Sequence, residues 1–165
     1  MISKKVKTGR DTYKYQQERS FSKFFMAAYF PRSLDEYCKY FEIDFFSLRL
    51  RCIFCLFYTS FEDLAAFHTK KLNIVWRHNL PFVCCTKCCR HSALVEKQKY
   101  FQCSVKCRIL DAVVGKPITD IYMRCTWCFA LLDCAEKVDL CARDDLALLI
   151  RGYWRADCRN CCMKE

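Results

Sequence analysis

Eight of the sixteen cysteines in this 165-residue chain form four Cys-x-x-Cys pairs: Cys52/Cys55, Cys85/Cys88, Cys125/Cys128 and Cys158/Cys161. Such a pair can be a redox centre, part of a disulfide framework or half of a metal site, and the intervals between pairs distinguish these. Twenty-nine residues separate the first pair from the second, and 29 separate the third from the fourth. Adding 73 to the first four positions gives the second four. Arg51 is matched in this register by Arg124, and Cys89 by Cys162. An internal duplication is the simplest source of this pattern. A dithiol redox centre needs one pair rather than four. A disulfide framework goes with a secretory leader, whereas the opening "MISKKVKTGRDTYKYQQERS" is polar and basic, without an apolar run of leader length. Zinc takes four thiolates in a tetrahedron, and two Cys-x-x-Cys turns supply them with little strain. Two structural four-cysteine sites are therefore expected, one per repeat. A closed site leaves no position for water, so the metal would hold the fold together rather than catalyse. Cys84 and Cys89 flank the second pair, and the repeat register selects Cys85 and Cys88 over them. The other eight cysteines are expected to be small, mostly buried apolar side chains.

The segments between the pairs must fold the ligand turns together. "SLDE" at Ser33–Glu36 reads as a capping box, followed by a helix with Leu34, Tyr37, Cys38 and Phe41 on one face. "SFED" at Ser60–Asp63 starts a second helix carrying Leu64 and Phe67, and "LNIVW" at Leu72–Trp76 reads as a strand. His91–Gln102 reads as a charged linker helix with Leu94, Val95, Tyr100 and Phe101 as its apolar contacts. Asp133–Asp139 repeats the cap and helix, and "ALLI" at Ala147–Ile150 repeats the strand. The expected architecture is α+β: two homologous small four-cysteine zinc-binding domains in tandem joined by a linker helix. Its boundaries are a basic, disordered N-terminal extension over 1–32, a first zinc domain over 33–90, the linker over 91–104 and a second zinc domain over 105–165. Neither half, at about seventy residues, is large enough to fold well without its metal.

The formal charge of +10 suggests nucleic acid as a partner. The first 25 residues alone carry +5, and two zinc ions each held by four thiolates contribute −2 apiece, which leaves about +1 on residues 26–165. The basicity thus belongs to the leading segment. No uninterrupted apolar run approaches the roughly 18 residues needed to span a bilayer, so a membrane is not expected among the partners, and the reading is of a reducing intracellular compartment. His68, His78 and His91 are the only histidines, no nucleophile stands near them at motif spacing, and no glycine-rich phosphate loop occurs. An enzyme is not expected.

The full pattern, C-x2-C-x29-C-x2-C repeated after 36 residues, resembles the papillomavirus early protein six, the oncoprotein family, over roughly Pro31 to Cys162. "IDFFSLRLRCIFC", "LNIVWRHNLPFVCCTKC" and "IRGYWRADCRNCC" support it, and "FVCCTKCC" looks cutaneous-type-like. The resemblance implies an adaptor that holds acidic Leu-x-x-Leu-Leu helical peptides of host proteins between the two zinc domains and the linker helix. Known targets for the family are a HECT ubiquitin ligase and Mastermind-like Notch coactivators. On matching positions Ile53, Phe54, Leu72 and Cys89 would line the floor, and Arg77 and Arg124 would stand at the rim. One family rim arginine falls at Tyr153. The implied consequences are redirected ubiquitin-ligase or transcription pathways, blocked apoptosis and differentiation, and cell transformation, in host nucleus and host cytoplasm. Pro-apoptotic host proteins, weak nucleic-acid contact and a weak homodimer are further expectations. The alternative is a zinc-dependent nucleic-acid-binding transcription regulator. "LDCAE" at Leu132–Glu136 matches the retinoblastoma-pocket motif Leu-x-Cys-x-Glu, although Asp133 and Glu136 also read as a helix cap. The terminal "CCMKE" lacks the Ser/Thr and Val/Leu of a PDZ ligand, so PDZ domains are not expected as partners. Met26, opening "MAAYFPRSLDEY", reads as a natural start.

Overall fold

Ser33 begins the first helix. Its hydroxyl accepts the Glu36 N–H at 3.1 Å and caps α1 (Leu34–Phe41). The reciprocal half of the expected box is shifted by one residue, since the Glu36 carboxylate accepts from the N–H of Arg32 at 2.8 Å rather than from Ser33. Leu34 is buried, and Tyr37 and Cys38 pack on the same core. The structure, a computed structural model, describes residues 30–162, so the expected extension up to residue 29, Met26 and the last three residues lie outside it. Residues 30–32, assigned to the extension from sequence, instead pack on the first domain. Pro31 is buried and its carbonyl accepts from Trp76 Nε1 at 2.8 Å, while the Phe30 ring lies 4.9 Å from that of Trp76.

Short strand β1 (Arg51–Cys52) leads into the first ligand turn. Ser60 caps α2 (Phe61–Thr69), which buries Leu64 and Phe67 as expected from their spacing. Then follow β2 (Val75–Arg77) and β3 (Leu80–Val83), an antiparallel hairpin whose two loop residues, His78 and Asn79, both have positive φ, the mark of a type I′ turn. The expected strand at Leu72–Trp76 starts later. Lys71 bends the chain at φ 51, Ile74 turns into the core, and its N–H donates to Arg32 O at 2.7 Å. The sheet order is β1-β3-β2, with β1 parallel to β3.

The linker helix α3 spans Thr86–Tyr100, starting five residues before the expected His91. Its buried residues are Cys89 and Ala93, whereas Leu94, Tyr100 and Phe101 are exposed, which corrects the apolar contacts expected of it. Phe101 opens strand β4 (Phe101–Lys106), so the linker passes straight into the second sheet. After α4 (Leu110–Val114) come β5 (Arg124–Cys125), α5 (Cys134–Ala142), β6 (Leu146–Ile150) and β7 (Tyr153–Ala156), in sheet order β4-β6-β7-β5. The 73-residue register is visible in the backbone. β1, α2 and β3 map onto β5, α5 and β7, and the positive-φ residues Leu56, Lys71, His78 and Asn79 map onto Phe129, Asp144, Arg151 and Gly152. Each half has its own core, one around Leu50, Leu64 and Val83, the other around Leu110, Met123 and Leu140. Among the described residues, no helix is long and apolar enough to cross a membrane.

Candidate metal centres and interdomain junction

In each half a two-residue strand delivers the first Cys-x-x-Cys into a tight knuckle. The Leu56 N–H closes on Cys52 O at 2.9 Å, and the Phe129 N–H closes on Cys125 O at 3.1 Å. The left-handed residues Leu56 and Phe129 reverse the chain just after the ligands. The second pair of each half follows the hairpin. The fold thereby gathers Cys52, Cys55, Cys85 and Cys88 into one group and Cys125, Cys128, Cys158 and Cys161 into another, all ligand sulfurs of a group within 4.8 Å of one another. The Cys55–Cys85 sulfurs are 4.0 Å apart and the Cys128–Cys158 sulfurs 3.8 Å. A tetrahedron with Zn–S of about 2.3 Å places its sulfurs about 3.8 Å apart, so two structural zinc ions fit.

Backbone N–H groups prepare the sulfurs for negative charge. The Cys85 N–H points at Cys52 Sγ, and those of Trp127 and Cys158 at Cys125 Sγ, each at 3.5 Å. Burial opposes ionisation of Cys52, yet the N–H groups of Cys55, Cys85 and Phe54 hold its thiol down at about 6. Cys125 is lowered to about 5, chiefly by the hydrogen bond with Cys128, against burial and with help from backbone N–H groups. Within each group burial and the neighbouring thiolates push the partners upward: Cys88 and Cys158 both rise to about 12. Repulsion among four gathered thiolates is what a divalent cation removes.

Cys85 has a second task that its sequence context did not announce. Its sulfur accepts the Cys88 N–H at 3.5 Å and is the N-cap of α3. The linker helix thus grows directly out of the first zinc group. Of the eight non-ligand cysteines, only Cys89 and Cys107 are buried; Cys103 and Cys134 are exposed and the rest half-buried, so they are not mainly core fillers. Cys103 lies on edge strand β4 and Cys134 on the first turn of α5.

The two domains meet at Arg124. Its Nη1 donates to Lys70 O at 3.0 Å and Phe129 O at 2.8 Å, and its Nη2 donates to Lys71 O at 2.8 Å. The Leu131 N–H also donates to Lys70 O, and the Cys89 thiol donates to Cys128 O at 3.3 Å. Arg124 thus clasps the end of α2 in the first domain to the knuckle of the second. Of the other positions matched to the family's groove, Leu72 is half-buried beside this clasp and Cys89 is buried on α3. Ile53 and the exposed Phe54 sit in the first knuckle, Arg77 is exposed on edge strand β2, and Tyr153 is exposed on β7. A cavity of about 1220 Å³ opens elsewhere, between Leu94 and Lys97 of α3 and Trp127, Leu146 and Leu148, and none of these seven positions lines it. In "LDCAE", Leu132 is buried and Asp133 and Glu136 form a complete capping box, so this segment is a folded helix start rather than an extended strand.

Comparison with known proteins agrees with this geometry. The family described as Early Protein (E6) matches residues 36–161. Protein E6 of human papillomavirus type 48 is 51% identical over 140 residues, covering 85% of this chain and 99% of the relative. Protein E6 of human papillomavirus 4 is 48% identical over 135 residues, covering 82% and 96%. Protein E6 of human papillomavirus 20 is 34% identical over 131 residues, covering 79% of each. With two four-cysteine groups in tandem, a helix between them, a family match over residues 36–161 and relatives up to 51% identical, the chain belongs to the papillomavirus E6 oncoprotein family.

Proposed function

We propose that the protein is a viral adaptor that binds acidic Leu-x-x-Leu-Leu helical peptides of host proteins, a HECT ubiquitin ligase or Mastermind-like Notch coactivators, and redirects their pathways in host nucleus and cytoplasm. The observation that carries this reading is the junction where both zinc domains and α3 meet. Half-buried Leu72 offers apolar surface there, Cys89 is buried in the contact between the domains, and the Arg124 clasp ties the two domains together. A helix laid against such a junction would bury its leucines on apolar side chains, and cationic groups beside it would attract flanking acids. A junction already held by such bonds loses little of the binding free energy to ordering itself. The competing reading, a nucleic-acid-binding regulator, requires a cationic folded surface to neutralise phosphates, and residues 26–165 with two zinc ions carry only about +1. The test is calorimetric titration of the zinc-loaded chain with acidic Leu-x-x-Leu-Leu peptides, followed by identification of host proteins captured from cell extract. Binding supports the adaptor; failure of every such peptide removes it.

A further inference from the structure

The cavity of about 1220 Å³ takes no part in the Arg124 junction, and its two walls come from different elements. One wall is a flank of α3, where Arg90, Leu94 and Lys97 recur at the spacing of successive turns, next to the buried stripe of Cys89 and Ala93. The other belongs to the second domain: Trp127 of the knuckle, Leu146 and Leu148 of β6, and Asp157 between β7 and the last ligand pair. Glu96 of α3 pairs with Arg155 of β7 at 3.0 Å, which ties the helix carrying one wall to the sheet carrying the other. The apolar floor is open, with Leu94 40% and Leu146 49% exposed. Lys97 arches over the Trp127 indole, its Nζ 4.0 Å from the ring centroid. Two pairs of lining charges are matched internally, Lys106 with Asp144 at 3.1 Å and Arg143 with Asp145 at 2.8 Å. Among the described residues, Arg90 on the helix wall and Asp157 on the facing wall form no ion pair or side-chain hydrogen bond. The cleft therefore has an apolar floor between one unmatched cation and one unmatched anion.

We propose that this cavity is a second docking groove, and that its occupant is an amphipathic helix of a host protein whose apolar stripe is bordered by an acid on one edge and by Lys or Arg on the other. The stripe covers Leu94, Leu146 and Leu148 and displaces Lys97 from the Trp127 ring, while Arg90 meets the acid and Asp157 the base. The occupant is a helix because β6 lies between β4 and β7: its backbone hydrogen bonds are taken, so an extended partner has nothing to add to, whereas a helix satisfies its own backbone. The volume exceeds the roughly 300–1,000 Å³ of a small-molecule site. By the 73-residue register, Trp127, Asp145 and Cys162 of the cavity are the counterparts of Phe54, Leu72 and Cys89. The cavity is thus the second half's copy of the surface assigned above to the Leu-x-x-Leu-Leu helix, and to that extent the inference rests on the adaptor reading. The copy has diverged, with aspartate in place of Leu72, so it takes a helix of different chemistry. The two helices occupy separate surfaces, and one chain holds both at once.

The experiment titrates the full zinc-loaded chain by calorimetry with a designed helical peptide of about 18 residues that carries a leucine stripe, Glu along one edge and Lys along the other. The peptide is expected to bind equally well with and without a saturating acidic Leu-x-x-Leu-Leu peptide. Leu94→Glu and Leu146→Glu, one on each wall and both part-exposed, should each weaken it by about tenfold or more. The same variants should leave the Kd of the Leu-x-x-Leu-Leu peptide within about twofold. Asp157→Asn and Arg90→Gln should each weaken the designed peptide by about threefold and leave a companion with Gln on both edges unchanged. Zinc content and melting temperature identify a leucine variant that has lost its fold, in which case Asp157→Asn and Arg90→Gln carry the test. Displacement of the designed peptide by the Leu-x-x-Leu-Leu peptide, or a Kd that neither leucine variant changes, places it elsewhere and overturns the inference. A Kd weaker than about 1 mM overturns it as well, while the adaptor reading stands or falls on the separate Leu-x-x-Leu-Leu titration. Self-association of the unliganded chain that Leu146→Glu abolishes would give the cavity to a second copy and overturn the host helix.

Discussion

A cysteine in this chain is assigned its chemistry by its neighbours in space. Cys84 and Cys85 are adjacent, yet only Cys85 belongs to the metal group, while the Cys84 thiol donates to Cys85 O at 3.4 Å. Cys84 is raised well above its ordinary value, first by its hydrogen bond with Cys89 and then by burial, so it stays a neutral thiol. Cys85→Ser is expected to leave one zinc ion per chain, measured by mass spectrometry under native conditions, and to unfold the first domain. The lost metal contributes about 10–16 kcal/mol at such sites, against a domain stability of about 5–15 kcal/mol. Cys84→Ser keeps a donor in place and should retain two ions; equal loss from the two variants would overturn the register. Arg124 makes a second residue-scale prediction. Arg124→Gln removes charge-assisted bonds to carbonyls of both domains and should cost about 2–4 kcal/mol in chemical denaturation. Amide exchange should accelerate first around Lys70–Leu72. A change under about 0.5 kcal/mol, the scale of an ordinary surface substitution, would show that the clasp carries no weight.

At the scale of elements, the caps decide where helices begin. The Asp133 carboxylate accepts the Glu136 N–H at 2.8 Å, and the Glu136 carboxylate accepts the Asp133 N–H at 3.0 Å. Arg159 braces both carboxylates. Asp133→Ala should destabilise the second domain by about 1–2 kcal/mol, read as a lower denaturation midpoint with the zinc stoichiometry intact. The helices capped by Ser33, Ser60 and Asp133 were legible in the sequence because oxygen-bearing caps and apolar spacing agree there. The start of α3 was not: its cap is the sulfur of Cys85, which falls outside the usual capping alphabet. The eight ligands were legible because spacing alone determines them. The Arg124 clasp and the Glu96–Arg155 contact were not. The acceptors of Arg124 are backbone carbonyls with no residue signature, and residues 96 and 155 are joined only when the linker helix lies against the second sheet.

For the whole molecule, metal and fold are coupled. Each half holds a modest core of its own, and the ligands in each come from strands and turns that pack together only in the folded state. A chelator stronger than the sites should therefore unfold both halves, with loss of far-ultraviolet helix signal, and readded zinc should restore it. Retention of secondary structure after complete metal removal would contradict the coupling. The same treatment tests the "LDCAE" segment. Leu132 is 3% exposed in the folded chain, so no capture of the zinc-loaded chain by a retinoblastoma-type pocket is expected, and any capture should require the chelated one.

The cap of α3 carries this coupling outward. Cys85 is at once a ligand of the first metal group and the first hydrogen-bond acceptor of the helix that runs to the second domain. Removing the ion leaves that helix without a fixed starting point, and Cys89, one turn along, loses its seat against the second knuckle. Occupancy of the first metal group therefore governs more than the first domain: one bound ion sets where the linker helix starts and, through it, how the two halves are held against each other.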